Sequence, residues 1–194
     1  MQETQLARSL AKAGLTYLGM IDSLAPLIPP NLASFVNSTA ADGHCAAVGL
    51  ENVAPNLVES FNGEWHRLCL SEGLFPSSKP EFLLAVNEGK SDPSNALWWA
   101  RVALETEWDL AGAGAAAGVT GNGQGRPEFV MLSGDGNVIA RGSTGEQYTD
   151  CVLLRNPHRV QKIRELGADM AHWTDLPLST RDAVARWLEH TRSE

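Results

Sequence analysis

Much that would mark this chain for a particular chemistry is absent. Its three cysteines, Cys45, Cys69 and Cys151, show no paired spacing and leave one over. That excludes a disulfide framework and suits a reducing compartment, where thiols are buried as small hydrophobes. Long apolar runs are also missing. The most signal-like stretch, residues 13–21, is short, is closed by Asp22, and has Glu3 where a basic region would be needed. The sequence therefore reads as neither secretory nor membrane-spanning, and a cytoplasmic protein is expected. Basic charge is scarce, with 15 Lys and Arg against 23 Asp and Glu for a net charge of −8. An acidic surface repels phosphate backbones, so nucleic-acid binding is not expected, whereas basic partners would be steered toward it. Neither a G-x-x-x-x-G-K-[ST] phosphate loop nor a G-x-S-x-G nucleophile elbow occurs, and no internal repeat is visible.

What remains is the profile of an ordinary folded chain. At 194 residues, 43% hydrophobic and 20% charged, it is long enough to bury a core without metal or disulfide. The clearest stretch is residues 126–154, where apolar runs flank Asp135-Gly136. Asp-Gly between alternating β-formers is a strong hairpin signal, with both residues expected at positive φ. The expectation is one α+β domain over residues 1–194. Its antiparallel β-meander, at about residues 127–154, is packed against helices from both the N-terminal half and the C-terminus. Residues 1–110 read as a helical part, residues 111–126 as a Gly/Ala-rich connector, and residues 127–194 as meander plus C-terminal helices.

Within the helical part, Leu10, Gly14, Tyr17, Ile21 and Leu24 step by four and three, predicting a helix over residues 4–25. Residues 29–54 read as a small-residue connector, and a helix resumes at Pro55 with Phe61, Trp65, Leu68 and Cys69 inward. Residues 80–86 fit a short helix or a buried strand. Asp92-Pro93 opens a further predicted helix that buries Leu97, Trp98, Val102, Leu104 and Trp108. After the meander, Asn156-Pro157 is expected to open a helix that Gly167 closes, and Ser179 to cap the last one.

Four groups of residues are candidates for chemistry. Gly112-Ala113-Gly114-Ala115-Ala116-Ala117 matches G-x-G-x-x-A, but dinucleotide binding needs a strand before it and a helix start after it. With neither expected, no cofactor is assigned. His44-Cys45 and His66-x-x-Cys69 offer ligand types without zinc-site spacing, so no metal is assigned either. Asp42, His44 and Cys45 are the candidates for a catalytic site, with Cys45 as nucleophile. For partner binding, the acidic and aromatic candidates are Glu105, Asp109 and Trp108. Arg155, Arg159 and Lys162 form the one local basic patch, expected on one side of a helix.

Six tryptophans stand out at this length, since indole rings serve both cores and interface hot spots. A small, acidic, Trp-rich α+β chain without catalytic signatures resembles, in composition and not in motif, bacterial immunity and inhibitor proteins. The function expected is therefore non-enzymatic protein binding, of an inhibitor, immunity or adaptor-like kind. It would act through an acidic, Trp-bearing surface on a protein partner of basic character. The alternatives are a small cytosolic enzyme built around Asp42–Cys45 and a subunit of a larger assembly.

Overall fold

The computed structural model describes residues 3–39, 45–87, 97–122 and 124–192. One antiparallel sheet runs through the molecule, with strand order β1-β4-β3-β5-β6-β7-β2. Its strands are β1 Leu15–Met20, β2 Cys45–Glu51, β3 Glu81–Asn87, β4 Leu97–Leu104, β5 Phe129–Leu132, β6 Val138–Thr144 and β7 Tyr148–Arg155. The helices are α1 Glu3–Lys12, α2 Pro30–Ala33, α3 Val36–Thr39, α4 Leu57–Glu72, α5 Gln161–Met170 and α6 Leu178–His190.

The expected meander forms, as β5, β6 and β7 paired in sequence. It is the middle of the sheet and not the whole of it. Both faces are covered. On one, Leu6 and Leu10 of α1 and Phe61, Trp65, Leu68 and Cys69 of α4 meet Phe82, Val102, Met131 and Leu153. On the other, Leu32, Val36, Ile163, Met170, Val184 and Trp187 from α2, α3, α5 and α6 meet Leu83, Trp99, Leu132 and Ile139. Trp65 is wholly buried, and truncating such a side chain to alanine costs about 3–5 kcal/mol. The fold is α+β, with helices from both ends of the chain covering the meander.

Several expected helices are corrected. Helix 4–25 stops at Lys12, because Gly14 turns the chain at φ +73 into β1. The helix expected after Pro93 is strand β4; Asp92 and Pro93 themselves lie outside the described residues. Central strands buried on two faces lose period-two alternation, so LWWARVAL imitates a helix stripe. Residues 80–86 resolve as strand β3, and the connector 29–54 contains strand β2. The part read as helical thus contributes four of the seven strands.

Residues 111–126 are not a loose connector. Leu110–Gly114 form a π-helical turn, and Leu110, Ala111, Ala115 and Thr120 are buried. A Cβ on Gly114 would lie 2.4 Å from the Thr120 hydroxyl, so its small size serves close packing. In the β5–β6 turn only Gly136 takes positive φ, at +79, while Asp135 accepts from the Asn137 N–H and the Ser133 hydroxyl. Downstream, Pro157–Arg159 make a 3-10 turn, and Gly167 lies inside α5, packed close to Leu32. Pro177, not Ser179, holds the N-cap position of α6.

Candidate functional site

The acidic and aromatic residues singled out from the sequence converge where the chain leaves β4. Residues 105–109 fold back over α1 and α4, tied by Glu105 N–H to Gly14 O (2.9 Å) and Asp109 N–H to Ala13 O (3.0 Å). Gly14 makes that crossing feasible: a Cβ there would sit 2.2 Å from Glu107 O and 2.5 Å from Trp108 Cα. The crossing lays the Trp108 ring edge-on against Trp65 (5.3 Å, 66°) and tilted on His66 (5.3 Å, 35°). Trp65 in turn packs on Phe75 and Phe82, so a half-exposed aromatic pair rests on a rigid buried cluster.

In the same segment Glu105 and Glu107 are exposed. Glu105 accepts the Thr16 hydroxyl, and neither carboxylate forms an ion pair among the described residues. Exposed carboxylates attract a cation by charge, and an indole face does so by the ring quadrupole.

Asp109 is spent differently. Its carboxylate accepts from Asn62 Nδ2 (2.7 Å), Gly112 N–H (2.8 Å) and Ala113 N–H (2.7 Å), while Asn62 Oδ1 accepts from Ala111 N–H (3.0 Å). Burial pushes its carboxyl up, but those hydrogen bonds together hold it below the ordinary value. It caps the glycine-rich turn. This also disposes of the G-x-G-x-x-A match: a strand does precede it, yet the N–H groups a pyrophosphate would use already hold Asp109.

The basic residues do not share one helix side. Arg155 ends β7 and reaches α4, pairing with Glu72 Oε2 (2.9 Å) and donating to Ser71 O (3.0 Å). Arg159 closes the 3-10 turn and Lys162 lies in the first turn of α5, which packs on the opposite face of the sheet. Cys45 opens edge strand β2, exposed and opposite Leu154; partial desolvation of its sulfur pushes its thiol up, away from a reactive thiolate. Asp42 and His44 lie outside the described residues. Cys69 and Cys151 are buried, with thiols pushed well up by burial. Among the described residues no group of three or more His, Cys, Asp and Glu is placed to hold a metal ion.

Two openings flank β3 and β4. One, of about 380 Å³, lies where β3 and β5 part after pairing only at Leu83–Leu132 and Leu84–Met131. There Arg141 is held by Glu128 and by the Ser34 carbonyl. The other is a cleft of about 240 Å³ between α6 and residues 21–31, walled by Trp98 and Trp99 and containing Arg186. Sequence reading missed this cleft, because its parts come from three distant segments. Only the Trp98-Trp99 pair gave a local signal, and there it passed as a helix face. The chain matches no family model, and it matches neither a curated protein nor a solved structure.

Proposed function

We propose that the chain is a non-enzymatic binding protein of the inhibitor, immunity or adaptor kind, taking a basic protein partner at the Trp108 face. The observation that carries this reading is that the exposed carboxylates of Glu105 and Glu107, unpaired among the described residues, share the segment after β4 with half-exposed Trp108, which packs on His66. A Lys or Arg of the partner would meet negative charge and a π face together, the combination that raises association rate and fixes orientation. The overall charge of −8 supports the same steering and disfavours nucleic acid. Three free thiols agree with a cytoplasmic setting, and no helix among the described residues is long and apolar enough to cross a membrane.

A titration followed by tryptophan fluorescence and calorimetry, using an arginine-rich model peptide at rising ionic strength, tests the assignment. Binding should weaken with salt, as expected for pairing across a screening length of about 8 Å at physiological strength. The double charge reversal Glu105→Lys/Glu107→Lys should weaken it at least about tenfold at low salt, since like charges then face one another. Equal affinity for the reversed variant would remove the Trp108 face as the docking surface.

A further inference from the structure

We propose that the cleft between α6 and residues 21–31 is a site for a free α-amino acid with a large apolar side chain. The cleft lies against the face of the sheet opposite Trp108's core, so the proposal does not depend on the protein-binding reading. Its volume of about 240 Å³ is below the roughly 300–1,000 Å³ of pockets that hold drug-sized ligands. It suits a ligand on the scale of a single amino acid.

The polar groups in this space are opposite charges not paired with one another. Asp22, Asp182 and Arg186 all line it. Asp182 stands one helical turn before Arg186, the spacing at which such residues commonly pair. Among the described residues they do not. The Arg186 guanidinium donates from Nη2 to Ser23 O (2.8 Å), and Asp22 instead accepts from Leu24 N–H (2.9 Å). One donor there has no acceptor: Arg186 Nε, which is buried. Buried donors without partners are costly, and a ligand carboxylate reaching the guanidinium satisfies what the chain leaves open. The exposed carboxylates of Asp22 and Asp182 at the rim then receive the ligand's ammonium. Beside these charges the cleft is lined by apolar Leu24, Leu27 and Trp99, with Trp99 fixed by its Nε1–H bond to Ile28 O (2.8 Å). Opposite charges close together beside an apolar wall are the outline of an α-amino acid, whose carboxylate and ammonium share one carbon while the apolar side chain points away from both.

The whole chain is titrated by calorimetry and tryptophan fluorescence with three probes: L-phenylalanine, L-phenylalaninamide, which lacks the carboxylate, and 3-phenylpropionate, which lacks the ammonium. Phenylalanine should bind saturably, and each truncated probe at least about tenfold more weakly, because a site built around a polar group rejects the analogue lacking it. Arg186→Gln should bring phenylalanine down to the level of the amide. If this variant fails to fold, the three probes on the unaltered chain decide alone. Equal affinities for all three, or no saturable signal from any up to millimolar concentration, would overturn the proposal.

Discussion

Asp109→Ala separates a capping role from a docking role for a residue that sequence reading placed on the partner surface. The carboxylate holds three donors at 2.7–2.8 Å. Losing a capping aspartate to alanine costs about 0.5–2 kcal/mol. Here the Asn62 amide also loses its acceptor, so the upper end, about 2 kcal/mol, is expected. In a chain of this length about 1 kcal/mol moves Tm by roughly 2–4 °C, which makes the expected drop about 4–8 °C. The pH dependence supplies a second check. Because the folded carboxyl lies below its ordinary value of 3.8, folding favours the ionised form. Its contribution is therefore complete above that value and is lost as pH falls through the lower, folded one. Urea unfolding of both proteins at pH 7 and at pH 3 should show a gap of about 2 kcal/mol that narrows in acid, with m unchanged. A gap under about 0.5 kcal/mol at pH 7, or one of equal size at both pH values, would refute the capping argument.

Two further outcomes follow from the packing. Gly142 faces Phe129 in the β5–β6 register, and an added Cβ would lie 2.3 Å from the ring; Gly142→Ala should cost about 1–3 kcal/mol by chemical denaturation, and a second change, Phe129→Leu, should recover part of it. Cys45, its thiol pushed up by partial desolvation, should react with iodoacetamide at pH 7.5 no faster than a free model thiol; a tenfold faster reaction would restore it as a candidate nucleophile.

The elements legible in the sequence were those whose signal is local. Helix α4 shows Phe61, Trp65, Leu68 and Cys69 at helical spacing, and all four are buried. The β6–β7 end of the meander and the Asp135-Gly136 turn are likewise set by neighbours in the chain. The misread elements, β1, β2 and β4, pair with strands distant in sequence or are buried on both faces. In β4 the inward residues Ala100, Val102 and Leu104 serve one core and Trp99 the other, so hydrophobicity no longer alternates. Gly14 had the opposite problem. It fitted a helical stripe by spacing, whereas its conformation answers to Glu107 and Trp108, more than ninety residues away.

The same division decides how much of the site could be read. Glu105 and Trp108 were singled out because charge and indole lie close together in the sequence; in the fold Trp108 packs on Trp65 and His66, while Glu105 accepts the Thr16 hydroxyl of β1. Asp109 shares that neighbourhood, but its task is set by backbone N–H groups three and four residues on, which composition does not distinguish from solvent exposure. The Arg155 guanidinium shows how a basic run dissolves on folding: one residue at the end of a strand turns to Glu72, while Lys162 follows α5 to the other face. Charge in sequence therefore locates a surface only where the backbone keeps consecutive residues on one side. The strand-to-helix junction after β7 does not meet that condition, and the fold disperses the basic candidate that the sequence offered.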